Sequence, residues 1–282
     1  MNEIHCLDET LDINSTQLYQ LIIQVSLDGF CFSLLNSINK KYIALKYFPL
    51  PPNIADEVIY EKIEEILNKE ELLNQSYKSA QTLYLSPKYT LIPNEFYSTA
   101  AIKKIFKLNH PLNALDEIHY NEIKPLNAKL LFSIPNQIAN PIYQHFSNVK
   151  FYHHSSPLLY YTLNQQNKDN QLRININGQF FDLIICEGQD LKMQNTFIYK
   201  TPEDILYYIM YSLKAINILP EKANINCSGF ASKSGEIIKL LKQYFPNIKF
   251  QTPDSKYIYS YTFNKIPSHT FVNLLNLPSC EL

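Results

Sequence analysis

Apolar residues along this chain fall into short runs that switch between two periods. Residues 18–26 (LYQLIIQVS) and 30–36 (FCFSLLN) are apolar almost throughout and flank Asp28-Gly29. Continuous short runs of this kind predict strands buried on both faces. Asp-Gly between them predicts a hairpin with a type I′ turn, which needs positive φ at both central residues. A third strand is expected at 41–48, stopped by Pro49, Pro51 and Pro52. Over 55–73 the period changes: Val58, Ile59, Ile63, Ile66 and Leu67 recur at helical spacing, with Glu and Lys opposite. Strands at 80–85 and 89–92 follow, and Pro93-Asn94-Glu95 predicts the start of a helix running to about 107. The middle reads as strands at 116–122 and 127–134, a helix at 136–146, a strand at 149–153 and a helix at 156–165.

A polar break at 166–170 (QNKDN) separates this from a second half with the same grammar. LRININ (172–177) and QFFDLIICE (179–187) flank Asn177-Gly178, again a hairpin signal, and a third strand at 190–199 follows a turn at Gly188. Thr201-Pro202-Glu203-Asp204 combines a capping hydroxyl, a first-turn proline and two acids at the positive end of the helix dipole. The helix it opens runs to about 217, with Ile205, Leu206, Ile209, Met210, Leu213 and Ile216 on one face. A buried strand at 224–229, a helix at 233–245, a strand at 247–250 and a helix at 267–276 complete the chain. Each half therefore runs β-β-β-α-β-α-β-α, with extra strands in the first. That predicts two similar α/β domains with a cleft between them. The expected boundaries are a tail over 1–17, a first domain over 18–168, a second over 169–265, and a C-terminal helix in 266–282 packing back on the body.

Composition narrows the chemistry. The 282 residues are 46% hydrophobic and 18% charged, as expected of a globular protein. Lys plus Arg (25) against Asp plus Glu (26) leaves −1, which speaks against a strongly basic nucleic-acid binder. Arg173 is the only arginine, so bidentate guanidinium clamps on phosphate are nearly absent. Five cysteines without a C-x-x-C spacing make a zinc site unexpected, and the reading is of a reduced, cytoplasmic protein. No apolar run approaches the ~18 residues of a membrane span. No G-x-S-x-G, Walker A or H-E-x-x-H pattern occurs. His153 and His154 are adjacent, so in an extended chain their rings point to opposite faces and a structural role is expected of them.

The duplicated β-β-β-α-β-α-β-α order resembles the superfamily of actin, sugar kinases and heat-shock chaperone ATPases, an actin-like (ribonuclease H-like) fold. The local match is best over about 130–190. There Ser133-Ile134-Pro135 takes the place of a strand ending in Val-Pro, and Ser156-Pro157 that of Glu-Pro. The second phosphate hairpin of the superfamily, D-L-G-G-G-T-F-D, is similar to the run from Asn175 to Asp182, in which Gly178, Phe181 and Asp182 match. The first, D-x-G-T, falls on Ser26, Leu27, Asp28 and Gly29. The adenosine turn, a Gly-Gly pair before a helix, falls on Ser228-Gly229, with a helix starting near Gly235. More narrowly, TLIP (90–93) and His154-Ser155-Ser156 resemble an uncharacterised Bacteroidetes-type family with a degenerate form of this fold.

The resemblance implies nucleotide turns at Gly29, Gly178, Ser228, Gly229 and Gly235, and it implies ATP as the ligand of an active member. Active members hold Mg²⁺ through two aspartates, whose places Ser26 and Asn175 take here. Gln179 and Phe180 put side chains where backbone would approach phosphate. The expectation is therefore a catalytically degenerate protein with weak or no nucleotide binding, no bound metal, and a protein partner or a second copy of itself. The alternative is an active ATPase or phosphotransferase using Asp28, Glu95 and Asp182. Two of these acids also have a plain reading, Asp28 as a turn residue and Glu95 as an acid at a helix start.

Overall fold

The computed structural model describes residues 2–51, 55–165 and 170–280. They form two compact units. One holds the chain up to Ser156 together with Asp254–Lys265 and the residues from Leu277; the other holds Pro157–Pro253 and Ile266–Asn276. Of the polar break expected at 166–170, residues 166–169 lie outside the described residues and Asn170 opens a strand.

In the first unit, β2 (Tyr19–Ser26), β3 (Gly29–Asn36) and β4 (Lys41–Pro49) form an antiparallel meander. After α1 (Asp56–Lys69), β5 (Ser79–Tyr84) pairs parallel with β2, and β9 (Lys150–His153) pairs parallel with β5. The core order is thus β4-β3-β2-β5-β9. Two short strands extend it at β4: β1 (Ile4–Leu7), antiparallel, and β15 (Ile258–Tyr259), parallel. Leu21, Ile22, Ile23 and Val25 are all fully buried, so β2 is covered on both faces, as its continuous apolar run requires.

An insertion separates β5 from the helix α3 (Asn136–His145). It is a three-stranded antiparallel sheet, β6 (Tyr89–Pro93), β8 (Ala128–Pro135) and β7 (Asp116–Ile123), in the order β6-β8-β7. Helix α2 (Ile102–Asn109) packs against it around Phe106, Ile92 and Leu131. The helix expected from Pro93 is not formed there. Residues 94–96 make one short 3-10 turn, and the α-helix begins only at Ile102.

The chain enters the second unit through α4 (Ser155–Leu163). β10 (Asn170–Ile176), β11 (Phe180–Glu187) and β12 (Asp190–Ile198) repeat the meander. α5 (Pro202–Ala215) follows, then β13 (Asn224–Gly229) parallel to β10, α6 (Glu236–Leu241), and β14 (Asn247–Phe250) parallel to β13. The order β12-β11-β10-β13-β14 repeats, strand for strand, the core of the first sheet. The two halves are α/β domains of one design.

Alternation along β10 and β11 divides this second sheet. Leu172, Ile174, Ile176, Phe181, Leu183 and Ile185 point into a core completed by Ile205, Ile209 and Leu213 of α5 and by Ile238 and Leu241 of α6. The Thr201 capping box forms with Asp204 as the sequence predicts. The helix expected over 233–245 shrinks to Glu236–Leu241, and that expected over 267–276 to α7, Val272–Asn276.

Neither hairpin has the expected type I′ turn. The first turn is at Leu27-Asp28, with Ser26 paired to Gly29, and no residue from 26 to 29 or from 177 to 179 has positive φ. Gly188 does, at φ 61°, where a turn was expected.

Candidate functional site

The opposite face of the second sheet carries polar residues in a row. Thr196 on β12 stands beside Asp182 on β11, Asp182 beside Asn175 on β10, and Asn175 beside Ser228 on β13. The row is hydrogen-bonded end to end. Thr196 donates Oγ1–H to Asp182 Oδ1 (2.6 Å), Asn175 donates Nδ2–H to Asp182 Oδ2 (3.1 Å), and Ser228 donates its hydroxyl to Asn175 Oδ1 (2.9 Å). Asn177, just past β10, adds a longer contact to Asp182 Oδ2 (3.4 Å). Asp182, Asn175, Asn177 and Ser228 are all buried. Buried polar groups need such partners, and a network satisfied in this way rigidifies the sheet.

The row brings together Asp182 and Ser228, two residues singled out by the sequence. It also changes what Asp182 can do. Its two oxygens already take three donors from its own sheet, so metal coordination would have to compete with them. Asn175 stands where the resemblance implies a metal aspartate, and its amide instead donates to Asp182 and accepts from Ser228.

The turn after β13 is built on Gly229, whose φ is +79°. A Cβ there would meet the Ile176 carbonyl oxygen at 2.2 Å. The same oxygen accepts from the Phe230 N–H at 2.7 Å, so the chain folds tightly back on the end of β10. The Gly229 N–H is not directed at open space: it donates to the carbonyl oxygen of His269 (2.9 Å). His269 is itself buried, with Nε2 2.6 Å from the Ala231 carbonyl and its ring 4.5 Å from that of Phe250. A carbonyl only accepts, so the proton sits on Nε2. Burial lowers the His269 pKa, the Ala231 bond works against that, and Lys233 adds to the lowering. Residues 269 and 229–231 thus clasp one another.

The hairpin turn between β2 and β3 is also self-contained. Ser26 Oγ accepts from the Asp28 N–H (3.2 Å) and donates to the Gly29 carbonyl (3.1 Å). The Asp28 carbonyl accepts from the Leu50 N–H (3.0 Å) and the Tyr47 hydroxyl (3.3 Å). Space beside Gly29 is filled by Tyr47, since a Cβ would lie 2.5 Å from its ring. Gly29 is thus a glycine for lack of room, not for its φ.

The remaining candidates are placed as follows. Gly178 and Gln179 are exposed at the second hairpin, while Phe180 is buried. Gly235 caps the six-residue α6 with an extended backbone. Glu95 is exposed on the short turn after β6, in the inserted sheet, and Asp28 is on the separate β2–β3 turn. No group of three or more His, Cys, Asp or Glu among the described residues is arranged to hold a metal. His153 and His154 do not point to opposite faces: their ring centroids are 4.4 Å apart, because β9 ends at His153 and the chain turns. Both rings are buried, and His153 Nε2 lies 2.8 Å from the Ser86 carbonyl. Sequence reasoning missed Thr196, Asn177, Tyr47 and His269. Thr196 was within reach of a register argument, since pairing β11 with β12 places it beside Asp182.

No curated protein matches the chain. A Bacteroides thetaiotaomicron protein with an actin-like ATPase fold and unknown function superposes with a TM-score of 0.82 at 21% identity, covering 96% of this chain and 100% of that one. The PilM-PilN type IV pilus biogenesis complex superposes with a TM-score of 0.63 at 12% identity, covering 94% of this chain and 100% of the matched one. At these identities the likeness is one of fold, and it agrees with the strand order repeated in the two sheets. The family described as "Protein of unknown function (DUF3822)" matches residues 8–248, and the chain belongs to it, with an actin-like ATPase fold.

Proposed function

We propose that this protein is a catalytically silent member of the actin-like ATPase fold that acts through a protein partner, with weak or no nucleotide binding. The observation that carries this reading is the clasp of Gly229 with His269, taken with the three donors on Asp182. A nucleotide turn works by offering backbone N–H groups to an anion, and a metal site by offering carboxylate lone pairs. In this chain the Gly229 amide and the Asp182 carboxylate are engaged by their own domain. Ser26 and Asn175 are neutral, so a triphosphate would be desolvated there with little to offset the cost. The likeness in fold to a chain of the PilM-PilN type IV pilus biogenesis complex supports a role through protein partners. The free cysteines, four of them buried, suit a reducing cytoplasmic setting.

Calorimetry with Mg·ATP and with adenosine tests the reading, together with an assay for phosphate release. The expected outcome is no steady turnover, and ATP binding no tighter than adenosine. Micromolar, Mg²⁺-dependent ATP binding that is lost in Asp28→Ala or Asp182→Asn would overturn it and favour an active ATPase using Asp28, Glu95 and Asp182.

A further inference from the structure

β12 is the end strand of the second sheet, and among the described residues it pairs with β11 alone. Its counterpart in the first sheet, β4, is covered on the corresponding side by β1 and β15. Two domains of one design thus treat the same edge differently. The main chain shows which groups β12 turns outward. The Tyr199 N–H bonds back to the Gln179 carbonyl (3.2 Å), while the Thr196 N–H turns away from β11 and donates to Asn195 Oδ1 (2.9 Å). In an antiparallel ladder these directions alternate, so Gln194, Thr196 and Ile198 present their N–H and C=O groups outward. Exposed edges are ordinarily blunted by charges, proline or a bulge. Here the irregularity lies near Lys192, where the register with β11 shifts between Ile185 and Cys186, and the run Met193–Ile198 beyond it has neither charge nor proline.

The chemistry of this edge is self-complementary about Asn195. At its start Glu187 and Asp190 flank Lys192, at 3.2 and 4.0 Å, which leaves one negative charge in excess. Just past its end stands the exposed Lys200, where the Asp204 carboxylate is engaged by the N–H groups of Lys200 and Thr201. A second copy laid antiparallel, with Asn195 opposite Asn195, brings Asp190 of each chain toward Lys200 of the other. On the face turned to α5, Met193 then meets Phe197, two side chains that already pack on the margin of that core. On the opposite face Gln194 meets Thr196. Centring the pair on Thr196 sets Asn195 against Phe197 and brings Lys192 toward Lys200, and centring it on Gln194 sets Met193 against Asn195. The register centred on Asn195 pairs charge with counter-charge and apolar with apolar.

We propose that β12 is the contact between two copies of this chain, paired antiparallel across a two-fold axis at Asn195, so that the two second sheets run on as one. The main-chain groups of Gln194 and Thr196 exchange hydrogen bonds with those of Thr196 and Gln194 in the second copy. For this the Asn195 carboxamide leaves the Thr196 N–H. The two Asn195 side chains, each donor and acceptor, then meet in a narrow pair without main-chain bonds. β1 shows the same solution within one chain, an antiparallel strand on the edge of β4. A single strand pair holds less than a permanent interface, so association is reversible and follows concentration. The contact does not rest on the proposed silence toward nucleotide.

Sedimentation velocity of the full chain over about a hundredfold range of concentration tests it. The expected result is a monomer at the dilute end and a dimer at the concentrated end. Asn195→Lys, which sets two like charges face to face at the axis, should leave a monomer throughout. Lys200→Glu should weaken association about tenfold, and adding Asp190→Lys to it should restore the wild-type affinity. Asp190, Asn195 and Lys200 are all exposed, so these variants should keep the wild-type Tm. Asn195→Cys reads the register. In such a pair the two Cα atoms are about 4.5 Å apart, within reach of a disulfide, so mild oxidation should cross-link this variant and not Ile198→Cys, which lies off the axis. A monomer at every concentration would leave the edge to a strand of another protein and overturn the proposal. So would a dimer that Asn195→Lys does not weaken, a charge reversal that Asp190→Lys does not rescue, or Asn195→Cys cross-linking no faster than Ile198→Cys.

Discussion

Gly229 donates its N–H to the carbonyl oxygen of His269, 2.9 Å away, and so joins the end of β13 to the segment leading into α7. The bond depends on a backbone conformation that only glycine adopts without strain. With φ at +79° and the Ile176 carbonyl 2.2 Å from the place of a Cβ, Gly229→Ala meets both a torsional and a steric penalty. The expected loss is on the order of 3 kcal/mol, read as a lower urea midpoint with an unchanged slope. Gly235→Ala is the control: its φ is ordinary and its nearest obstacle is the Ser232 Cβ at 3.1 Å, so a much smaller change is expected.

At Gly29 the obstacle is a side chain, and that makes the cost reversible. Gly29→Ala drives a methyl into the Tyr47 ring, whose nearest atoms would be 2.5–2.8 Å away. Overpacking of this kind typically costs about 1–3 kcal/mol. Tyr47→Leu removes the ring and its bond to the Asp28 carbonyl, at a cost of its own. The two substitutions together should cost clearly less than the sum of the singles, by ~1 kcal/mol or more in a double-mutant cycle. Strict additivity would mean that Tyr47 does not fill the space beside Gly29.

The repeated strand-helix order was legible because each meander carries continuous apolar runs and each crossover helix has a helical apolar stripe, such as Ile59, Ile63 and Leu67 in α1. The start of α5 was legible because Thr201, Pro202 and Asp204 are local signals acting on neighbouring backbone. Turn type was not: Asp28-Gly29 has the composition of a type I′ turn, but Ser26 closes the loop by side-chain hydrogen bonds and Gly29 belongs to β3. The helix expected at Pro93 failed for a similar reason. Asn94 is drawn to Asn127 by both main chain and side chain (2.9 and 2.8 Å), which holds the segment to β8's turn instead of letting it coil. Asp182 could be picked out from the sequence, but its meaning could not. Whether a carboxylate serves a metal or a hydrogen-bond network depends on Thr196 and Asn175, which only strand pairing brings to it.

The Thr201 capping box and Phe181 separate local from long-range stabilisation within the second unit. Thr201→Ala removes one side-chain cap at the start of α5, worth about 1 kcal/mol. Phe181 is fully buried against α5, with ring centroids 5.5 Å from Phe197 and 6.4 Å from Tyr208. Phe181→Ala should cost about 3–5 kcal/mol, since it leaves a cavity as well as removing apolar burial. Thermal melts ordered wild type, Thr201→Ala, Phe181→Ala are the expected result. A Phe181→Ala melt equal to wild type would mean that β11 is placed with the wrong face toward α5.

Stability should fall as pH drops below the ordinary histidine value of 6.5. Burial lowers the pKa of His153 far below that value, with His154 adding to the effect and the Ser86 carbonyl opposing it. Burial likewise lowers His119 and His269, in each case against an opposing hydrogen bond. In the folded chain these rings stay neutral at a pH where the unfolded chain takes up protons, so acid favours unfolding. The contribution is complete above pH 6.5 and is lost as pH falls from there toward each folded value. Asp8 acts in the same direction lower down. Burial disfavours its charge, yet hydrogen bonds from Lys41, Ser260 and Thr10 hold its pKa far below 3.8, so its contribution disappears only below that pH. Urea midpoints at pH 7.5 and pH 5.0 isolate the histidines, because Asp8 is ionised in both states at either pH. The wild type should lose stability between the two. His153→Gln, which can still donate to the Ser86 carbonyl, should lose less, since its side chain takes up no proton. An equal loss in the variant would remove His153 from the account and leave the acid sensitivity to His119 and His269.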